Sequence, residues 1–397
     1  MNICFSLSNL EAGGAQTFVV RLAAALSARG HKVMIYDHQP EIRDKRLLNL
    51  PGSGARVYSY SNKTLVHYLT WKLNGLLAKL RIEKQFHEKV NKWRFQQVLR
   101  KHKIAVVNSH MSRSDFIIAS CKLPAGCVFV PSLHGEYELM RAHEKMEAYF
   151  LQKIREVTEK AAMIIYTADK NLEGLTGIKH QLSLKKINVG FDPSQHTAKL
   201  FTRAQYHLKP SDFVVGMVSR GIPEKGWDTA IKAIQQCRQR GQTDIVLLMI
   251  GTGPYLRELH ATVNDPAIQL LDFANNYADY FYCYRLFDLL IFPSRFKGES
   301  VPNAVIEALS QQVPVVASHI AEIPAMIAAD TPDAAGICIS QGEKCEDRFA
   351  EEISALYADR QRLQHYKTNC AAAFEKFNMQ KVAARYLEIF ENLRPSG

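Results

Sequence analysis

The chain has 397 residues, 47% of them hydrophobic and 22% charged; it exceeds the usual limit of one hydrophobic core and is too apolar for a disordered polymer, so two domains of roughly 150 to 200 residues are expected. Lys and Arg number 50 against 39 Asp and Glu, a formal net charge of +11 that invites an anionic partner. Eleven Lys/Arg but only two acids, Glu83 and Glu88, fall between Lys63 and Lys103, a net of +9, so the remainder is nearly neutral and a protein basic throughout is excluded.

Taken in chain order, short apolar runs alternate with longer amphipathic ones, the pattern of a parallel sheet wrapped by helices. The spacing predicts a strand over 2–7, a helix over 15–29, and a strand over 32–37 after the Gly30-His31 break. Further strands are expected at 104–108, 127–130 and 163–166. The same grammar restarts after the Gly, Pro and Asp cluster of Gly190-Phe191-Asp192-Pro193, with strands at 213–218, 245–250, 289–292 and 313–317 and a helix over 227–240. Two α/β units, 1–195 and 196–397, therefore meet near residue 195, and ligands of such sheets bind outside the carboxyl ends of the strands. A final amphipathic helix is expected at about 380–393, and its periodicity leaves open whether it packs back on the first domain.

The eight cysteines form no CxxC pair and no zinc-finger spacing, so they read as reduced thiols, mostly buried. The N-terminus lacks a basic n-region, and no stretch reaches about 18 consecutive apolar residues. These features predict a cytoplasmic protein without a membrane span.

The residues at the strand ends carry the chemistry. In Leu10-Glu11-Ala12-Gly13-Gly14-Ala15-Gln16, two glycines precede a helix and let backbone amides approach an anion, although Gly-Gly is also an ordinary tight turn. The spacing fits neither GxGxxG nor a P-loop, so a dinucleotide enzyme and a Walker NTPase are not supported. In the second half, Ser219-Arg220-Gly221-Ile222-Pro223-Glu224-Lys225-Gly226-Trp227 would aim two cations at one point, as a diphosphate requires; a solvated basic turn is the alternative. Ile250-Gly251-Thr252-Gly253-Pro254 is mainly a turn signal that brings Gly253 near the strand ends.

The most informative stretch runs from Phe292 to Leu309. Pro302 marks a helix start, Glu299 falls in the loop before it and Glu307 inside it. Ser300, Val301, Pro302 and Asn303 form the helix entrance, where the amides of Val301, Asn303 and Ala304 offer an anion site. Carboxylates that grip hydroxyls around a phosphate-binding helix end describe a nucleotide-sugar pocket.

Together these motifs, with Ser132-Leu133-His134-Gly135 after a first-domain strand, resemble the retaining glycosyltransferases of the GT-B fold, family 4, over nearly the whole chain. The resemblance implies an α/β architecture of two doubly wound Rossmann-like domains facing across a cleft, with a nucleotide-sugar donor held mainly by the second. It implies that Glu307 binds the ribose, that Arg220 and Lys225 hold the diphosphate, that Glu299 orients the donor sugar, and that His134 contacts that sugar near its 6-position. Gly13 and Gly14 would offer amides to phosphate or acceptor, and Gly253, Ser300, Val301, Pro302 and Asn303 would complete the donor site. The acceptor hydroxyl would attack on the face the nucleotide leaves. No cofactor is expected, and no metal: Asp-x-Asp is missing, and Arg and Lys would stand in for a cation. On this reading Glu307→Ala costs nucleotide affinity, and Lys225→Ala depresses turnover more than stability.

The chain departs from the family pattern at three places. Gln312 replaces the glycine before the Pro-Val-Val strand, which would deprive the helix of its left-handed cap. Ile320-Ala321-Glu322-Ile323-Pro324-Ala325 replaces a glycine-rich donor loop, and Leu270-Leu271-Asp272-Phe273-Ala274 lacks the glycine of the base-recognition strand. UDP is favoured only as the commonest donor nucleotide.

The basic segment 63–103 carries Leu65, Leu69, Leu73, Leu76, Leu77 and Leu80 at helical spacing, with Trp71 and Trp93 among lysines. Either the leucines cover the first-domain core, or the segment lies on an anionic membrane surface. The resemblance favours the membrane, since many relatives use lipid-linked acceptors. The sequence is therefore read as a peripheral, cytoplasmic-face glycosyltransferase that moves a hexose or N-acetylhexosamine onto a lipid-linked or oligosaccharide acceptor in surface glycan synthesis. A catalytically silent glycan-assembly partner and a sugar-nucleotide epimerase of the same fold are the alternatives. No nucleic-acid partner is expected, because no recognition motif accompanies the basic patch.

Overall fold

The structure, a computed structural model, describes residues 1–11, 13–44, 47, 55–59, 68–69, 72–73, 75–76, 79, 86–143, 145–178, 182–195, 201–272 and 281–393. The chain divides into two compact units, Met1–Asp192 joined by the chain from Met379 onward, and Pro193–Asn378.

In the first unit, seven parallel strands run β1 (Asn2–Leu7), β2 (Lys32–Asp37), β3 (Arg56–Ser59), β4 (Val106–His110), β5 (Val128–Leu133), β6 (Ile164–Tyr166) and β7 (Leu184–Lys186). Their order in the sheet is β3-β2-β1-β4-β5-β6-β7. Helices α1 (Gly14–Ala28), α2 (Phe86–Lys101), α3 (Ser112–Ala119), α4 (Tyr137–Arg141) and α5 (Glu147–Lys160) form the connections. Strand β1 is central, and Ile3, Cys4, Phe5 and Leu7 are fully buried, as expected of a parallel strand covered on both faces. Cys4, Tyr36, Phe95, Val107 and Phe129 form one of its cores, with the Tyr36 and Phe95 rings 4.8 Å apart.

The second unit repeats the plan with six strands: β8 (Phe213–Arg220), β9 (Ile245–Thr252), β10 (Ile268–Asp272), β11 (Leu289–Phe292), β12 (Val315–Ser318) and β13 (Gly336–Ile339). Their order is β10-β9-β8-β11-β12-β13. Its helices are α6 (Trp227–Gln239), α7 (Pro254–Thr262), α8 (Asn303–Ser310), α9 (Ile323–Met326), α10 (Cys345–Ala358) and α11 (Arg360–Phe374). Trp227, fully buried, packs with Met217, Leu247, Ile291, Phe349 and Ile353 in one core. Burying each such large side chain contributes about 1.5–3 kcal/mol.

The C-terminal helix α12 (Met379–Asn392) groups with the first unit, the placement that periodicity left open, so the second unit ends at Asn378 and not at 397. The physical reason is its apolar face: Met379, Val382, Ala383, Tyr386, Ile389 and Phe390 are buried. Tyr386 meets Phe18 of α1 at 6.0 Å, and the Met379 amide donates to the Phe191 carbonyl at 3.1 Å.

Each sheet reverses its winding once, between β1 and β4 and between β8 and β11. At such a switch point the connections leave in opposite directions and open a crevice at the carboxyl ends of the strands. The functional motifs of the sequence lie beside these two points.

All eight cysteines are free thiols, and burial raises the pKa of each; it carries Cys121 up to about 11 and Cys127 up to about 12. Among the described residues no helix is long and apolar enough to cross a membrane. In the basic segment, Leu65, Trp71, Leu77, Leu80 and Lys84 lie outside the described residues. Leu69, Leu73 and Leu76 are helical and 52%, 38% and 55% exposed, so these three do not cover the core.

Candidate active site

In the second unit, β8 and β11 pair in parallel, Leu289 with Val215 and Leu290 with Gly216, so the turn after β8 and the loop after β11 are neighbours. Gly226 closes the turn at φ 78°, a left-handed conformation, and a Cβ there would fall 2.1 Å from the Pro293 carbonyl oxygen. Only glycine lets turn and loop touch.

That approach brings Lys225 and Glu299 together. The Lys225 Nζ donates to Glu299 Oε2 at 2.5 Å, with the two side chains only 7% and 10% exposed. The Ser294 hydroxyl donates to the same oxygen at 2.8 Å, and Gln341 Nε2 holds the Ser294 carbonyl at 3.0 Å. Burial holds the Lys225 ammonium below its ordinary pKa, against the pull of Glu299. Arg220 is exposed at the end of β8, and its guanidinium lies 5.4 Å from the Phe296 ring, with the Lys225 ammonium 4.9 Å from the same ring. Phe296 lies beside both cations, whereas Ser294 and, behind it, Gln341 hold Glu299; the sequence assigns no role to any of these three. The pairing of Lys225 with Glu299 was equally unannounced, since the two are 74 residues apart.

Helix α8 follows that loop. Pro302 stands at the position before the helix rather than in its first turn, with its carbonyl accepting from the amides of Val305 at 3.1 Å and Ile306 at 3.4 Å. The amides of Asn303 and Ala304 precede the first helical bond, so the helix itself supplies them no partner. Val301 and Asn303 are half-buried, and the buried Ser300 hydroxyl oxygen has no hydrogen-bond partner among the described residues. Glu307, one turn inside and 2% exposed, accepts from the Tyr284 hydroxyl at 2.9 Å. Gly253, at φ 148°, lies against the turn after β8: a Cβ would fall 2.5 Å from the Gly221 carbonyl oxygen. Its visible role is to let two strand-end turns pack, and Tyr255 N–H donates to that same Gly221 carbonyl at 3.1 Å.

At two departures from the family pattern the chain adopts a left-handed backbone without glycine. Gln312 adopts φ 57°, and Val313 N–H reaches back to the Ala308 carbonyl at 2.9 Å, so the left-handed helix end expected to be missing is present. Ala321 likewise adopts φ 49°, and Glu322 N–H donates to the Ser300 carbonyl at 3.3 Å, tying the loop to the entrance of α8. A left-handed non-glycine residue costs roughly 1–2 kcal/mol, which the surrounding hydrogen bonds and packing offset. At the third departure, Leu270, Leu271 and Asp272 belong to β10, and Phe273 and Ala274 lie outside the described residues.

In the first unit, Gly13 immediately precedes α1 and Gly14 begins it. Gln16 Nε2 donates to Asn9 Oδ1 at 3.1 Å and to Met111 Sδ at 3.3 Å, joining the turns after β1 and β4. His134 follows β5 directly and, with Met111, Ser112, Asp115, Glu136 and Tyr137, lines a small pocket. Its Nε2 is 2.8 Å from Nδ1 of His110, whose Nε2 is 2.8 Å from Asn108 Oδ1. Burial pushes His134 down to about 4 and His110 well below its ordinary pKa, so both rings are neutral at pH 7. Asp115, 1% exposed, accepts from Ser109 Oγ at 2.5 Å and from the Tyr137 hydroxyl at 2.8 Å. Burial nonetheless raises its pKa to about 7. His110, Asn108 and Asp115 were not anticipated; the signal available was a histidine at the end of each of two adjacent strands.

The structure thus gathers Arg220, Lys225, Glu299 and the entrance of α8 at the switch point of one sheet. It places Gly13, Gly14 and His134 at the strand ends of the other. Among the described residues no group of three His, Cys, Asp or Glu side chains converges as metal ligands would.

Known proteins share this plan. Residues 12–172 match the family model for Glycosyltransferase Family 4, and residues 212–359 the model for Glycosyl transferases group 1. Among solved structures, Anabaena HepE in complex with UDP superposes with a TM-score of 0.73 at 19% identity, over 99% of this chain and 100% of its own. Sucrose-phosphate synthase from Thermosynechococcus elongatus matches with a TM-score of 0.72 at 15% identity, covering 99% of each chain. WaaG, a glycosyltransferase involved in lipopolysaccharide biosynthesis, matches with a TM-score of 0.65 at 14% identity, over 98% of this chain and 99% of its own. No curated protein matches by sequence. The chain belongs to the glycosyltransferases of the GT-B fold, family 4 type.

Proposed function

We propose that the protein transfers a hexose or N-acetylhexosamine from a nucleotide-sugar, a UDP-sugar by preference, to a lipid-linked or polysaccharide acceptor, with retention at the anomeric carbon and without a metal. The observation that carries this reading is the switch point of the second unit, where the buried Lys225–Glu299 pair adjoins the helix that carries buried Glu307. Glu307 receives the ribose hydroxyls, as charge-assisted bonds of about 1.5–3 kcal/mol. Arg220, Lys225 and the first amides of α8 receive the diphosphate, and Glu299 orients the sugar ring. The bond from the anomeric carbon to the diphosphate breaks, the acceptor oxygen bonds to that carbon on the same face, and the acceptor proton passes to the departing diphosphate. HepE has been solved with UDP and with UDP-glucose, which supports UDP as the first nucleotide to try.

Thermal shift with UDP, GDP and ADP tests the reading. One nucleoside diphosphate is expected to raise the melting temperature, and Glu307→Ala is expected to weaken its binding by about 10- to 100-fold, the loss of one or two charged hydrogen bonds. Stabilisation by none of the three would reject the proposal.

The acceptor side carries its own expectation. Helix α2 exposes Lys89, Trp93, Arg94, Arg100 and Lys101, and Trp93 is 59% exposed. We read this face, with the exposed leucines near residue 70, as a peripheral contact with an anionic membrane on its cytoplasmic side. Replacing Lys84, Lys89, Lys92 and Lys101 by Gln should weaken binding to phosphatidylserine vesicles by about two orders of magnitude or more, at about 1 kcal/mol per basic residue. Unchanged vesicle binding in a flotation assay would remove the membrane from the proposal.

A further inference from the structure

The buried polar residues at the ends of β4 and β5 form a chain whose proton positions are determined by its chemistry. Asn108 Nδ2 donates to the Val130 carbonyl at 2.6 Å and to Ser132 Oγ at 2.9 Å. The opposite orientation of the amide would set two carbonyl oxygens 2.6 Å apart, so Oδ1 faces His110. An amide oxygen only accepts, and therefore His110 Nε2 carries a hydrogen. The His110 ring is fully buried, with Phe5 and Phe18 centroids 5.8 Å and 6.0 Å away, surroundings that favour the neutral form. A neutral imidazole protonated on Nε2 presents a lone pair at Nδ1.

That lone pair faces His134 Nε2 at 2.8 Å. The ring centroids are 5.1 Å apart with planes inclined by 29°, so the rings meet edge to edge along the nitrogen–nitrogen line, as an N–H···N bond requires. His134 Nε2 must then be the donor. Its own hydrogen is committed to His110, and its remaining nitrogen, Nδ1, carries a lone pair. The relay is braced from behind, because Ser132 Oγ also meets the hydroxyl of fully buried Tyr386 at 3.4 Å.

We infer that Asn108 and His110 are positioning residues that fix His134 as a hydrogen-bond acceptor, so that His134 reads a hydroxyl of the ligand and rejects a phosphate or carboxylate oxygen. The ligand half of this inference rests on the proposed glycosyl transfer and on the expectation, implied by the family resemblance, that His134 contacts a sugar; the relay does not. Acceptor-only recognition confers selectivity between groups of similar size. A hydroxyl satisfies the lone pair, whereas an anionic oxygen would face it with no hydrogen between them.

The test uses the full-length chain with ¹⁵N-labelled histidine and long-range ¹H–¹⁵N correlation spectra at pH 7. His110 and His134 are both expected as the Nε2–H tautomer. A His134 found as Nδ1–H or as imidazolium would overturn the inference. Asn108→Asp sets a carboxylate against His110 Nε2, and should make His110 an imidazolium that donates from Nδ1 and flips His134 to Nδ1–H. In that variant UDP affinity should hold while kcat/KM for UDP-glucose falls by about tenfold, one neutral hydrogen bond. Should that variant fail to fold, His110→Asn keeps an acceptor oxygen near the former Nδ1 and should preserve the His134 tautomer, which His110→Leu should not; loss of the tautomer in His110→Asn counts against the relay. Adding sulfate, an oxyanion that carries no hydrogen at pH 7, should leave the His134 resonances in place, and a sulfate-induced shift would overturn the selectivity. Expected tautomers combined with His134 signals that UDP-glucose, UDP-galactose and UDP-N-acetylglucosamine all fail to move would reject the donor-sugar reading and leave the relay standing.

Discussion

Lys225→Met is expected to lower both turnover and stability, and Glu299→Gln in the same chain to restore only the second. Lys225 and Glu299 satisfy each other at 2.5 Å in a site from which water is nearly excluded. Removing the cation alone leaves a buried carboxylate with Ser294 as its remaining side-chain donor among the described residues, and breaking such a pair costs about 3–5 kcal/mol. Glu299→Gln removes the uncompensated charge, so the double variant should recover most of that loss in urea denaturation. Turnover should stay two to three orders of magnitude down in both variants, because a preorganised cation opposite the departing diphosphate is worth roughly 3 kcal/mol or more in the transition state. This revises the sequence expectation that Lys225 would matter to turnover more than to the fold: burial of the pair makes it matter to both. A single variant as stable as wild type would mean that the pair contributes nothing to folding.

The pH dependence of stability should change when Asp115 is replaced by Asn. The folded-state pKa of Asp115 is raised from 3.8 to about 7 by burial, despite hydrogen bonds from Ser109 and Tyr137. A carboxyl raised in the folded state binds more protons folded than unfolded between these two values. Its contribution is therefore fully present below the unfolded pKa and is lost as pH rises toward 7. Relative to Asp115→Asn, the wild type should lose about 1.4 kcal/mol per pH unit between about pH 4 and pH 7, and the difference should level off above that. Urea denaturation of both chains at pH 5, 6, 7 and 8 measures it. A difference that is flat across that range would show that Asp115 is ionised throughout. Near neutrality Asp115 stands close to its own midpoint, beside His134 in the first-unit pocket.

The parts of the fold that sequence disclosed are the central ones. Strands β1, β2 and β11 were read to the residue, because both faces are buried and apolar residues fill most of each strand. Edge strands β3, β7 and β13 went unread. An edge strand pairs on one side only; Arg56–Ser59 and Leu184–Lys186 mix charged or polar residues with too few apolar ones to detect, and Gly336–Ile339 is only four residues long. Strands β4 and β5 extend further than expected, to His110 and Leu133, because Ser109, His110 and Ser132 are polar residues buried inside a sheet. Periodicity places such residues in loops; here His110 and Ser132 join Asn108 in the relay behind His134, and Ser109 holds Asp115. The same limit hid the Lys225–Glu299 pair. Each residue was visible at its own strand end, but which cation meets which carboxylate is decided by the strand order, which brings β8 beside β11.

The C-terminal helix α12 has a consequence for the order in which the molecule is made. The second unit occupies one continuous stretch, Pro193–Asn378, and can complete its sheet as soon as that stretch has left the ribosome. The first unit cannot finish then, although its seven strands were synthesised earlier. Its core still lacks Tyr386, Ile389 and Phe390, and the relay behind His134 lacks the Tyr386 hydroxyl. The half of the protein made first is thus completed last.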